Sequence, residues 1–180
     1  MVIRYVFLSL LFLAFSFYAD AQNLKAQAGP VIEHYGAVYD IPNPDFPADP
    51  EQVFKVVFDV YDSPGGPETL NVQLNTIARF LNMHARAGMP VENMQVAAVL
   101  HGGAGKDALN NEGYRKRFGT DNPNLGIIQE LHEAGVRFYI CGQSAAKRGF
   151  AREELAEPVG VALSAMTVLL QLQAKGYKTM

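Results

Sequence analysis

The segment Val136-Arg137-Phe138-Tyr139-Ile140-Cys141-Gly142-Gln143-Ser144 decides how this chain is read. Val136 to Ile140 is a short run of β-branched and aromatic residues, which predicts a buried strand. Cys141 follows at once, then Gly142, then a short helical stretch over Ala145–Arg148. A thiol between a strand end and a helix start faces backbone N–H groups that have no partner within the helix. Those groups favour the thiolate over the thiol. Cys141 is also the only cysteine among the 180 residues, so no internal disulfide competes for it.

The neighbouring segments repeat the alternation. Val53–Tyr61 is nearly continuous in apolar residues, broken by Lys55 and Asp59, and suits a strand covered on both faces. From Glu68 to Ala87 the residues Leu70, Leu74, Ile77, Ala78 and Leu81 fall on one helical face, with Gly88 as the stop. Met94–Leu100 predicts a second strand and ends at His101-Gly102-Gly103. A helix is predicted over Lys106–Phe118 and another over Asn124–Ala134, capped by Asn122 or Asn124. Arg152–Leu155 is read as a helical turn and Val159–Leu163 as a fourth strand. Ser164 caps a last helix through Lys175, and Tyr177–Met180 adds an edge strand. Strands alternating with helices imply right-handed crossovers and a mostly parallel sheet of about five strands with helices on both faces. In such sheets ligands bind beyond the carboxyl ends of the strands, which here carry Asp62, His101, Cys141 and Ser164.

The amino-terminal residues read as an address. Arg4 precedes an apolar run from Val6 to Tyr18, and Ala19-Asp20-Ala21 has the small-x-small pattern of a cleavage site. The run is shorter than the ~20 residues a spanning helix needs, so no stable membrane insertion is expected after cleavage. Residues 1–21 are therefore expected to be a signal peptide, with a periplasmic or secreted location for the remainder. Residues 22–52 are read as an extended arm, because Pro42, Pro44, Pro47 and Pro50 forbid a helix. Residues 53–180 form the domain. The net charge of -3 provides neither the basic face that nucleic acid requires nor a polybasic membrane patch.

Each candidate site residue has a plainer alternative. Cys141 is either a reactive thiol or a small buried hydrophobe. Gly142 permits close approach of a ligand or of another backbone. Arg148 lies within two helical turns and could stabilise a negative charge. His101 could tune the protonation of the thiol or merely fix its loop. Gly102-Gly103-Ala104-Gly105 has neither the GxGxxG spacing nor a Walker lysine-serine pair, since Lys106 is followed by Asp107; this argues against dinucleotide or ATP binding, and no cofactor is expected. His34, His84 and His132 are scattered, so no metal is expected. No G-x-S-x-G elbow is present, which argues against a serine hydrolase.

Taken together, Lys55-Val56-Val57-Phe58-Asp59-Val60, Leu100-His101-Gly102, Gly135-Val136 leading into Cys141-Gly142-Gln143-Ser144, and the closing Leu170-Gln171-Leu172-Gln173-Ala174-Lys175-Gly176-Tyr177 resemble the DsrE/DsrF-like family. The likeness runs from about Val53 to Met180. It implies a flavodoxin-like, doubly wound sheet and a homo-oligomer. It also implies sulfur carriage: a persulfide held on Cys141 and handed to a thiol or sulfur-acceptor protein, with His101, Gly102, Gly142, Gln143, Ser144 and Arg148 around it. The expected function is thus an exported sulfur-binding or sulfur-transfer protein, sulfurtransferase-like if it turns over. A non-catalytic ligand-binding module and a thiol oxidant sensor are the alternatives.

Overall fold

The computed structural model describes residues 25–180, so the expected signal segment lies outside the described residues. Five parallel strands form one sheet: β1 (Phe54–Val60), β2 (Met94–Leu100), β3 (Arg137–Cys141), β4 (Val159–Ala162) and β5 (Lys178–Thr179). Their spatial order is β4-β3-β2-β1-β5. The α-helices are α1 (Val72–Arg86), α2 (Asn111–Phe118), α3 (Leu125–Glu133), α4 (Gly142–Arg148) and α5 (Ala165–Ala174).

The order of strands dictates where the helices go. From β1 to β4 the chain steps across the sheet in one direction, so right-handed crossovers place α1 to α4 on one face. The step from β4 back to β5 runs the other way, and α5 must cover the opposite face. Burial agrees. Val56, Phe58, Leu100 and Ile140 pack with Leu74, Ile77, Leu81, Ile128 and Leu131 on the first face. Val57, Ala97, Val99 and Cys141 pack with Ala165, Val168 and Leu172 on the second. Strand residues alternate between the two clusters, as the pleat requires.

Several boundaries differ from the sequence reading for local reasons. The helix expected from Glu68 starts at Val72, because the Asn71 side chain accepts from the Gln73 N–H and caps it there. The helix expected over Lys106–Phe118 is two elements, a 3-10 helix over Gly102–Ala108 and then α2. Asp107 breaks it. This carboxylate is fully buried and accepts from Ser63, Asn71, Lys106 and Asn124. Asn110 then restarts the helix by accepting from the Gly113 N–H at 2.8 Å. Asn124 sits at the start of α3 but makes no capping bond there; it serves Asp107 and the Asn71 N–H instead. Pro30–Val38 contributes no strand, only an isolated bridge between Gln27 and Val38. It is nonetheless anchored. Ile32 is buried, and the Asn82 side chain accepts the N–H groups of Val31 and Ile32.

Candidate functional site

In an open parallel sheet, a crevice forms where neighbouring strands send their chains to opposite faces. Here that point lies between β3, which continues into α4 on one face, and β4, which continues into α5 on the other. Cys141 is the last residue of β3 and pairs with Ala162 at the end of β4, so it stands in this crevice. Gly142 follows because nothing larger fits: a Cβ there would come within 2.6 Å of the Ala162 carbonyl oxygen. The approach that Gly142 allows is thus to the backbone of β4.

The thiol is 6 % exposed, and two helix starts converge on it. Burial pushes the Cys141 pKa up. The N–H groups of Ser144, Ala165 and Gln143 and the Ser144 hydroxyl pull it down, and they prevail, leaving it below the ordinary thiol value. The neutral thiol makes no capping hydrogen bond, so these donors act on the thiolate. Ala165 is present because Ser164 caps α5, its hydroxyl accepting from the Thr167 N–H at 3.0 Å. Sequence reasoning missed Ala165; only the Ser164 cap signalled that a helix start lay there.

His101 lies one step beyond the Leu100–Ile140 pairing, in the position across from Cys141. Its Nε2–H donates to the Asp59 carboxylate at 2.7 Å, and its ring packs against Tyr61 at 5.3 Å. Asp59 was not among the expected site residues. Its signal was present as the one acidic residue in the otherwise apolar body of β1. Gly102 has φ of 53°, and a Cβ there would meet the Tyr61 carbonyl oxygen at 2.6 Å. Its N–H donates to the Ser144 hydroxyl over a long 3.4 Å, linking the loop after β2 to the start of α4. Gln143 is exposed, its amide 3.4 Å from the Leu163 carbonyl. Arg148 is exposed in the last turn of α4 and is not among the groups acting on the thiol. The structure therefore brings together Cys141, Gly142, Gln143 and Ser144, ties Gly102 to them, places His101 beside them and sets Arg148 apart.

Residues 55–180 match the family model described as DsrE/DsrF-like. The chain belongs to the DsrE/DsrF-like family. Members are generally sulfur relay proteins and are often oligomeric. No curated protein matches this DsrE/DsrF-like chain. Among solved structures, it is similar to a protein of unknown function, MTH1491, from Methanobacterium thermoautotrophicum. That match has a TM-score of 0.53 at 21 % identity and covers 71 % of this chain and 97 % of the other. It is also similar to the ychN protein from E. coli, with a TM-score of 0.50 at 19 % identity, covering 71 % of this chain and 99 % of that one. At these identities the two structures speak to the fold, a five-stranded α/β sheet.

Proposed function

We propose that this protein carries sulfane sulfur on Cys141 as an exported, oligomeric member of its family. The observation that carries the proposal is the set of donors around the thiol. Three backbone N–H groups from two helices and one hydroxyl favour a negative sulfur at a site nearly closed to water. The Cys141 thiolate attacks the outer sulfur of a donor such as thiosulfate or a polysulfide. The donor's S–S bond breaks, its remainder leaves with the electron pair as sulfite or a shorter polysulfide, and Cys141–S–S⁻ is formed. An acceptor thiolate then attacks the outer sulfur and releases the Cys141 thiolate, with no net oxidation. A single cysteine cannot resolve its own adduct, so the acceptor is a separate thiol. We assign the proton that the thiol gives up to the Asp59–His101 pair, whose histidine follows the strand beside Cys141.

Export rests on the apolar run Val6–Tyr18 and the Ala19-Asp20-Ala21 pattern. No helix among the described residues is long and apolar enough to cross a membrane.

Incubation with thiosulfate or polysulfide followed by intact-mass measurement tests the carrier role. The expected result is a gain of about 32 Da that reducing agent removes and that Cys141→Ser abolishes. A thiol that reacts readily with iodoacetamide yet never gains sulfur would refute it. An adduct of about 16 Da on mild peroxide, with no sulfur adduct, would favour the oxidant sensor instead.

A further inference from the structure

A second place shaped for a ligand lies at the opposite end of the sheet from Cys141. Between Asp40 and Pro50 the proline-rich arm arches over the last turn of α1 and the first residue of β1. Two clamps pin the arch. Arg86 donates to both carboxylate oxygens of Asp40, at 2.6 and 2.9 Å. At the far end the Asn93 amide donates to the Pro50 carbonyl at 2.8 Å. Among the described residues, 41–48 make no hydrogen bond between these clamps. Pro42, Pro44 and Pro47 restrict the segment through their fixed φ, and bends at 42–43 and 45–46, with Asn43 at φ 49°, curve it into the arch.

The arch does not lie flat. Beneath it is a hollow of about 710 Å³, walled by Tyr39, Ile41 and Phe46 from the arm and by Phe54, Met83 and His84 from the domain. Small-molecule sites commonly measure ~300–1,000 Å³ and are largely apolar and pre-formed. The protein leaves its own apolar groups uncovered here: Phe46 is 94 % exposed, Ile41 63 % and Met83 46 %. Large apolar side chains gathered around one hollow, rather than scattered, mark a binding site.

The polar groups narrow the occupant. Asp40 and Arg86 neutralise each other, which leaves Asp49 as the uncancelled charge on the lining. The lining therefore offers an anion no unpaired Lys or Arg. His84 is wedged against Phe54 and Phe80, at 5.2 and 4.4 Å between ring centres. Its Nδ1 lies 2.8 Å from the Phe80 carbonyl oxygen, which can only accept, so the hydrogen is on Nδ1. Nε2, the other ring nitrogen, has no partner among the described residues, and with the hydrogen on Nδ1 it is the atom through which an imidazole accepts. We propose that the hollow between the arm and α1 binds an uncharged, ring-bearing apolar small molecule whose single hydrogen-bond donor is accepted by His84.

The probe is N-phenyl-1-naphthylamine, neutral, aromatic and bearing one N–H, whose fluorescence rises in apolar surroundings. Titrated into the full chain it is expected to give a saturable signal at one site per chain. Met83→Glu puts a carboxylate into the wall from an exposed helix position, and Arg86→Ala opens one clamp. Each is expected to weaken binding at least about tenfold. Should Met83→Glu unfold the protein, Ile41→Glu makes the same test from the arm. The amine is expected to outbind 1-phenylnaphthalene by roughly fivefold, and His84→Phe to remove that preference. Alkylation of Cys141 is expected to leave the titration unchanged, which separates this site from the sulfur site. No saturable signal, an undiminished titration in the charged variants, or a signal lost on alkylation would each overturn the proposal. So would a signal that tracks self-association, since the face would then lie between copies.

Discussion

At Cys141 two effects of opposite sign meet. Burial alone would keep the proton on sulfur, and only donors aimed at the same atom reverse that. Ser144 contributes twice, through its backbone N–H and through its hydroxyl. Ser144→Ala keeps the first and removes the second. A donor to the thiolate lowers the thiol pKa, so removing one raises it and leaves less thiolate at neutral pH. The alkylation rate at pH values below the thiol pKa is expected to fall by roughly fivefold, the worth of one hydrogen bond of about 1 kcal/mol. The rate at high pH, where all the sulfur is ionised, is expected to stay the same. A parallel fall at every pH would mean that the variant blocks access instead. Arg148 shows why charge counting along a helix was a poor guide to this site. Two turns of α4 carry it to the exposed end, while the acting donors come from the first turn and from a helix that begins 24 positions after Cys141.

At the scale of elements, what was legible in the sequence follows the range of the forces involved. β2 was bounded at Met94 and Leu100 because its apolar run is continuous and turn residues flank it. The Ser164 cap was legible because a cap acts over three residues. The break between the 3-10 helix and α2 was not, since Asp107 gathers partners as distant as Ser63 and Asn71. The His101–Asp59 contact spans 42 positions and was hidden for the same reason. Asp107 is fully buried and holds the loop after β1 to the starts of α1 and α3. Asp107→Ala strands the Lys106 ammonium and two amide donors. It is expected to cost roughly 3–5 kcal/mol in urea unfolding, the range for a broken buried pair. A loss below about 1 kcal/mol would show that water replaces the carboxylate without penalty.

Glu154 offers a test by pH. Its carboxylate accepts from Arg117, from the Ala151 N–H and from Lys116, tying the 3-10 turn at Arg152–Glu154 to α2. The Arg117 hydrogen bond is the main cause that pulls its pKa from 4.5 down to about 2. A group whose pKa is depressed in the folded state stabilises above its unfolded value, and that contribution is lost as pH falls through the folded one. The stability gap between wild type and Glu154→Gln is therefore expected to be full above about pH 4.5 and to close towards pH 2. A gap independent of pH in unfolding curves across that window would show that the ionised carboxylate is not what the turn depends on.

Across the whole molecule, the strand order leaves one face thinly covered. Four helices share one side of the sheet, and α5 alone protects the other. The outward side of α5 carries two large apolar residues one turn apart, Met166 at 70 % exposed and Leu170 at 66 %, with Gln171 and Gln173 exposed beside them. Leu163 and Val161 extend the patch to β4, an unprotected edge strand beside Cys141. Exposed apolar side chains beside an open sheet edge suit contact with a partner. Family members are often oligomeric, and the patch is the surface here suited to a second copy. Covering it would also finish the enclosure of the sulfur, since Ala162 and Leu163 form one wall of the crevice. Leu170→Glu places a carboxylate where that copy would pack without touching the core. The expected outcome is that wild type sediments as an oligomer at tens of micromolar, while the variant sediments as a monomer whose thermal midpoint, unlike that of wild type, does not rise with protein concentration. Alkylation of Cys141 should be faster in the variant, because the mouth of the crevice is then open to solvent. A wild type that is already monomeric at that concentration, or a variant of unchanged mass, would move the interface elsewhere and leave α5 as a solvent-facing lid.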